Sequence, residues 1–167
     1  MGKYIFVEEN GFYQIDCSAA VWATDQIHTE YKKTQSALCD VDWIAESKDC
    51  IYLIEYKNAT IKTADNPEAF RLDSDKLRHK ITSKFYDSLH YLQTKRINKP
   101  VKYVFIVEAL NAGSIERKLF RNYVAKRLPF ELQKNKPGRI IDDFGVVSID
   151  EWNQHNEYSR FPLTQIK

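Results

Sequence analysis

The stretch that decides the fold runs from Ser36 to Asn58 and reads SALCDVDWIAESKDCIYLIEYKN. It contains two apolar runs separated by the polar residues 47–49, a gap short enough for a hairpin turn. The second run, residues 50–57, is rich in β-branched and aromatic residues and contains neither Gly nor Pro. This composition predicts a central strand over 50–58, which pairs in a hairpin with a strand over 37–46 formed by the first run.

Alternation along the second run places Glu55 and Lys57 on the same face of the strand, about 7 Å apart. In the first run, Asp40 and Asp42 share a face. A two-residue turn at positions 48 and 49 would place Asp42 opposite Glu55, with their Cβ atoms about 5 Å apart. A turn one residue earlier would place Asp40 there instead. Like charges that face each other destabilise a sheet, so a cation between the two acids would remove the conflict.

An Asp on one strand followed by Glu-x-Lys on the next resembles the PD-(D/E)XK nuclease superfamily, whose fold is restriction-endonuclease-like. The matching residues are Asp42 and Glu55-Tyr56-Lys57. The Glu-x-Lys triplet occurs four times in the chain, but only this copy ends an apolar strand preceded by an Asp-bearing strand. The hairpin context therefore carries the resemblance, and the triplet by itself does not.

The resemblance implies a nuclease that hydrolyses phosphodiester bonds of DNA or RNA with Mg²⁺ or Mn²⁺. Asp42, Glu55 and the carbonyl of Tyr56 would bind the metal, and Lys57 would orient the attacking water or stabilise the developing charge. It also implies an acidic residue on a first core helix, for which Glu30 is the candidate. The order of elements in the family places one more strand after that helix, and only residues 34–36 are available for it.

Two other interpretations of the same residues stay open. The acids could be a cross-strand pair balanced by Lys57 on a solvated sheet face. The chain could also be a catalytically inactive nucleic-acid-binding or assembly module of the same fold, or a structural partner of another protein. Retention of Asp42, Glu55 and Lys57 together favours the enzyme, because a pure binder has no use for acids beside phosphate.

The formal net charge is only +2, but the charges are unevenly distributed along the chain. Residues 1–70 contain 6 Lys and Arg against 12 Asp and Glu, residues 71–139 contain 17 against 6, and residues 140–167 contain 2 against 5. An acidic segment beside a basic one is typical of metal ligands next to a phosphate-binding surface. The expected phosphate contacts are Lys76, Lys80, Lys84, Arg117 and Arg121.

The remaining pattern predicts an α/β fold, a small mixed β-sheet flanked by helices in one domain over residues 1–167. We expect a helix over 18–33, a loop over 59–74, a helix over 75–96 capped by Ser74, and a strand over 101–108 parallel to the Glu55 strand. A second basic helix over 115–128 should turn Leu119, Tyr123 and Leu128 inward.

Several functional classes are disfavoured by the sequence. No apolar run of 18 residues and no signal peptide is present, so we expect a cytoplasmic protein without membrane association. Neither the three cysteines nor the four histidines show the spacing of a zinc site. The expected partner is nucleic acid, with DNA as the first expectation. No accessory recognition domain is visible, so a homodimer or a partner protein would supply specificity.

Overall fold

The computed structural model describes residues 4–34 and 36–167. Those residues form two β-sheets and four α-helices, which confirms the predicted mixed α/β class. The helices are α1 (Ile27–Lys33), α2 (Asp75–Thr94), α3 (Ser114–Ala125) and α4 (Ile149–Gln154). The strands are β1 (Ile5–Val7), β2 (Tyr13–Asp16), β3 (Trp22–Thr24), β4 (Trp43–Glu46), β5 (Ile51–Asn58), β6 (Val101–Glu108), β7 (Ile141–Val147) and β8 (Leu163–Gln165).

The larger sheet has the strand order β3-β4-β5-β6-β7. β4 is antiparallel to β3 and β5, whereas β5, β6 and β7 run parallel to one another. The connection from β5 to β6 passes through α2, as a parallel pair requires. This arrangement confirms that the two carboxylate-bearing segments and the 101–108 strand belong to one sheet.

Each face of the five-stranded sheet is covered by its own apolar core. On one face, alternate residues of β5 and β6 such as Leu53 and Phe105 join side chains of α2 and α3. The ring of Tyr103 on β6 lies 5.6 Å from that of Phe85 on α2, and its hydroxyl donates to the carbonyl of Ile81. The opposite face packs against the small sheet β1-β2-β8 and α4, which places Trp152 in the core.

The strand predicted over residues 37–46 is shorter in the structure and begins at Trp43. Two backbone donors of the preceding segment bind side chains of α2 instead of a neighbouring strand. The N–H of Cys39 donates to Asp87 at 2.8 Å, and the N–H of Val41 donates to Ser88 at 3.2 Å. The segment that leads to Asp42 is therefore attached to α2, which fixes the position of the hairpin relative to that helix.

The helix predicted over residues 18–33 is wrong in its first half. The structure has strand β3 there, whose Trp22 pairs with Glu46, followed by the short helix α1. Pairing with β4 at the sheet edge outweighs the weak helical spacing of a segment rich in β-branched and aromatic residues. β3 thus precedes α1, whereas the family order places a strand after this helix. At the residues available for that strand, Thr34 and Ser36 lie outside any strand and Gln35 lies outside the described residues.

Helix α3 turns a different face inward from the predicted one. Leu128, which follows the helix, is buried as predicted. Leu119 and Tyr123 are instead 55% and 48% exposed, and Phe120 and Val124 are buried in their place. The ring of Phe120 packs 5.6 Å from that of Phe105 on β6. Both sets of residues have helical spacing, so packing against β6 decided between them. Among the described residues, no helix is long and apolar enough to cross a membrane.

Candidate active site

The turn between β4 and β5 decides which acid faces Glu55. The N–H of Ser47 donates to the carbonyl of Cys50 at 2.9 Å, which closes a two-residue turn at positions 48 and 49. The strand pairing then runs from Glu46 opposite Ile51 to Trp43 opposite Ile54. The next position in this register sets Asp42 against Glu55 and excludes the alternative register with Asp40.

Asp42 lies just before β4, and the backbone of β5 fixes its carboxylate. Its Oδ2 accepts a hydrogen bond of 2.7 Å from the N–H of Tyr56. Because the N–H and C=O of a strand residue project to the same side, the carbonyl of Tyr56 also faces the Asp42 segment. The ring of Tyr56 lies on the other face of the sheet, 5.8 Å from the ring of Trp43. The backbone of Tyr56, and not its side chain, therefore belongs to this site.

The cation that the facing acids require is supplied by Lys84 of α2. Its Nζ lies 2.7 Å from both carboxylate oxygens of Glu55. Glu55 is 7% exposed, and the side chain of Lys84 is 12% exposed. Lys84 follows the core residue Ile81 by three positions and precedes Phe85, so its side chain reaches the sheet beside the apolar stripe. The structure therefore places Lys84 inside the site, where the sequence predicted an outward phosphate contact.

Burial sets the protonation behaviour of this cluster. It raises the pKa of Glu55 to about 8, and the charge of Asp42 adds to the rise while Lys84 opposes it. Burial also raises the pKa of Asp42, against the effects of Lys84 and the Tyr56 N–H. Burial alone would lower the pKa of Lys84, but Glu55 and Asp42 raise it overall. The buried carboxyl group of Glu55 and the half-buried one of Asp42 thus lie near a single ammonium group, and ionisation of both leaves an excess negative charge.

The pKa of Glu55 predicts how the stability of the metal-free protein depends on pH. Because the folded value of about 8 lies above the ordinary 4.5, the folded state binds more protons between these limits. Protonation of Glu55 therefore stabilises the folded state, and this contribution is complete below pH 4.5 and is lost as the pH rises through 8. Urea unfolding in EDTA should therefore show a falling free energy of unfolding across this window, and Glu55→Gln should flatten the fall. Glu68→Gln, a change of an exposed acid, should keep the wild-type slope, and an equal slope in Glu55→Gln would contradict the assignment.

A cleft of about 400 Å³ opens beside Glu55. Lys57, which is exposed at the end of β5, lines it together with Lys76 and Lys80 of α2. The loop predicted over 59–74 forms another wall, with Phe70 and Arg71 among its contributions. Within residues 4–34 and 36–167, none of the three lysines forms an ion pair. The cleft therefore combines one buried acid with cationic groups suited to phosphate oxygens.

The two further acids considered from the sequence have partners of their own. Asp40 lies 3.0 Å from Nδ1 of His28, although its charge still acts on Asp42 and Lys84. Glu30 on α1 accepts a hydrogen bond of 2.9 Å from the hydroxyl of Tyr91. In the described part of the chain, no three His, Cys, Asp or Glu residues are grouped so as to hold a metal. The groups that could bind a metal beside Glu55 are therefore two carboxylates and a carbonyl.

This limited set fits Mg²⁺ or Mn²⁺ better than it fits zinc. Mg²⁺ sites commonly use one or two protein carboxylates and complete the shell with water and substrate phosphate. In the metal-free protein the ammonium group of Lys84 already binds the carboxylate of Glu55, so this carboxylate attracts a cation. Sequence reasoning named Lys84 as a phosphate contact and missed its role as the counter-ion of Glu55. A Glu on an otherwise apolar strand was the available signal, because a buried carboxylate needs a counter-charge.

Arg117 and Arg121 bind other parts of the protein and do not line the cleft. Arg117 donates to the carbonyl of Ala112 and to Glu151, both at 2.6 Å, and its side chain is 11% exposed. Arg121 donates to the carbonyl of Phe144 at 2.8 Å. These contacts attach α3 to α4 and β7, so the structure assigns the cationic lining of the cleft to β5, the 59–74 segment and α2.

Comparison with known proteins gave no match, whether to family models, to curated proteins or to solved structures. The resemblance to PD-(D/E)XK nucleases therefore depends on Asp42 and Glu55-Tyr56-Lys57 and on the strands that carry them.

Proposed function

We propose that this chain is a metal-dependent nuclease that hydrolyses phosphodiester bonds of nucleic acid, with DNA as the expected substrate. The observation that carries the proposal is the buried Glu55, which lies opposite Asp42 and forms an ion pair with Lys84. Glu55 also lines a cleft whose other groups include Lys57, Lys76 and Lys80. Asp42, Glu55 and the carbonyl of Tyr56 would hold Mg²⁺ or Mn²⁺. Bound there, the metal would lower the pKa of a water molecule and neutralise charge on the phosphate.

The protein groups have separate tasks in this reaction. The Tyr56 N–H fixes the Asp42 carboxylate, so this ligand needs no reorganisation. The exposed ammonium of Lys57 lies at the cleft, where it can orient the attacking water and stabilise negative charge on the phosphoryl oxygens. Hydrolysis forms a bond from the water oxygen to phosphorus and breaks one P–O ester bond. The water gives up a proton, and the leaving oxygen takes one up.

Lys84 has to release at least one Glu55 oxygen before that carboxylate can bind a metal. A flexible four-carbon chain connects the ammonium group of Lys84 to the helix backbone, so this group can move while α2 stays in position. Release would leave Lys84 near the cleft as a further cation for the substrate. The Glu55–Lys84 ion pair then represents the metal-free state of the site.

A second candidate is a nucleic-acid-binding module without catalysis, and the same ion pair favours it. If Lys84 permanently neutralises Glu55, the acids need no metal and the lysines of the cleft serve binding alone. The two candidates differ in their response to divalent metal.

Metal titration tests the proposal directly. At a hundredfold excess over the dissociation constant, a bound ion stabilises the fold by about 2.7 kcal/mol, which raises the melting temperature of a domain of this size by about 5–11 °C. We expect such a rise with Mg²⁺ or Mn²⁺ in the wild type and in Asp65→Asn, an exposed acid outside the site. Asp42→Asn should show none. Calorimetry that detects no metal binding to the wild type would favour the non-catalytic module.

Phosphate contacts at the cleft predict a salt-dependent affinity for nucleic acid. Each phosphate neutralised by a lysine releases counterions, so the affinity should fall steeply as salt rises. Replacing Lys76 and Lys80 together with Ala should weaken binding to all sequences alike and reduce the salt slope by about two. The matched control is Lys32→Ala with Lys33→Ala, two exposed lysines of α1 outside the cleft. An unchanged slope in the Lys76 and Lys80 variant would remove the cleft from the binding surface.

A further inference from the structure

A second cavity of about 470 Å³ lies between α2, α3 and the segment that precedes α2. Its walls include Arg71, Arg78, Asn111, Leu119 and Tyr123. Arg71 also lines the cleft beside Glu55, so the two spaces adjoin at this residue. A ligand bound in the second cavity would therefore lie next to a ligand bound in the cleft beside Glu55.

Two polar atoms of the cavity lining are buried without a hydrogen-bond partner among the described residues. They are the donor Nε of Arg78 and the acceptor Oδ1 of Asn111. The orientation of the Asn111 amide is fixed, because its Nδ2 donates to the carbonyl of Phe70 at 3.0 Å. Buried polar atoms without partners are costly, so a ligand that reaches these atoms would be favoured if it presented an acceptor to Arg78 and a donor to Asn111.

The apolar and charged groups of the cavity favour an uncharged aromatic ligand. The guanidinium group of Arg78 packs on the ring of Tyr123, 4.0 Å from its centroid, and the tyrosine is still 48% exposed. A planar ligand would therefore stack on the part of this Arg78–Tyr123 pair that the packing leaves open. The carboxylates of Asp73 and Glu116 balance the two arginines of the lining, so the cavity has no net positive charge to attract a phosphate. An unpaired nucleobase meets these conditions, since it has π faces and carries donors and acceptors on its edges.

We propose that the second cavity binds an unpaired base of the nucleic acid whose phosphates occupy the cleft beside Glu55. The inference rests on the proposed function and narrows its substrate to single-stranded nucleic acid or to a base extruded from a duplex. Binding a base in the cavity would fix the strand relative to Lys57 and the carboxylates. Because stacking on Tyr123 is indifferent to base identity, the cavity should accept several bases.

The test compares two single-stranded DNA oligonucleotides of equal length and charge, one with all its bases and one made of abasic residues. Fluorescence anisotropy in EDTA measures binding without cleavage. The wild type should bind the base-bearing strand more tightly. Tyr123→Ala should weaken that binding by about 5- to 150-fold, the range for losing one base stack, and leave the abasic strand unaffected. Tyr123→Phe, which keeps the ring, should retain the wild-type affinities.

The matched control is Tyr86→Ala, because Tyr86 is 40% exposed on α2 and does not line the cavity. It should retain the preference for the base-bearing strand. Equal wild-type affinities for the two strands, with a steep salt dependence for both, would overturn the base site and leave the proposed function intact. Absence of binding to either strand would also overturn the base site, whereas the proposed function would be overturned only if double-stranded DNA and RNA failed to bind as well. A Tyr86→Ala loss equal to that of Tyr123→Ala would also overturn the base site.

Discussion

Replacing Lys84 with Met is expected to destabilise the metal-free protein above pH 8 by about 3 kcal/mol or more. The change removes the ammonium group that contacts both oxygens of Glu55 and leaves that carboxylate buried without a counter-charge. The loss should be greatest above pH 8, where Glu55 is ionised. Urea unfolding in EDTA measures it, and Lys76→Met, a change of an exposed lysine on the same helix, should cost little.

Two further measurements distinguish the loss of the Glu55 counter-charge from a general packing defect. Adding Glu55→Gln to Lys84→Met should recover most of the lost stability, because no charge remains buried. Divalent metal should raise the melting temperature of Lys84→Met more than that of the wild type, since no internal cation competes for Glu55. A Lys84→Met protein as stable as the wild type at every pH would show that the ion pair does not form.

The second large effect concerns cleavage. Asp42→Asn removes a metal ligand and should reduce cleavage to background, while binding to nucleic acid persists or becomes tighter because an acid beside phosphate is gone. Lys57→Ala should reduce cleavage by about 100-fold or more, the typical loss when one charge-stabilising group is removed. Metal binding, measured by calorimetry, should survive in Lys57→Ala, because Lys57 is not a ligand.

The controls for this series are Asp65→Asn and Lys62→Ala, two exposed residues of the long segment after β5. Both should cleave as the wild type does. An active Asp42→Asn protein would end its assignment as a ligand and return attention to Asp40, whose charge acts on the same cluster. A Lys57→Ala protein with full activity would leave Lys57 as a surface charge.

The parts of the fold that local sequence decides were predictable. The hairpin and the alternation along β5 followed from the pattern, whereas the choice of Asp42 over Asp40 as the residue opposite Glu55 followed from the family resemblance. The cap of α2 at Ser74 and its apolar stripe gave the long helix, which ends at Thr94, two residues earlier than predicted. The hairpin and the long helix depend on hydrogen bonds and spacing within a few residues, so the pattern alone specifies them.

The features that failed depend on contacts distant in sequence. Residues 18–24 form an edge strand because β4 is available to pair with, and the segment before Trp43 is held by Asp87 and Ser88 of α2. α3 turns Phe120 inward because Phe105 lies beneath it. Lys84 was one of several equivalent lysines in the sequence, and only the position of α2 over the sheet distinguishes it. Long-range packing overrides local preference in each of these cases.

Cleavage by the purified protein tests the central proposal most directly. Single- and double-stranded DNA and RNA are incubated with the wild type and with Asp42→Asn, each in Mg²⁺, in Mn²⁺ and in EDTA. The proposed function predicts wild-type products with at least one metal, none in EDTA, and none from Asp42→Asn under any condition. Folded wild-type protein that cleaves none of the four substrates with either metal, or that cleaves equally well in EDTA, would contradict it.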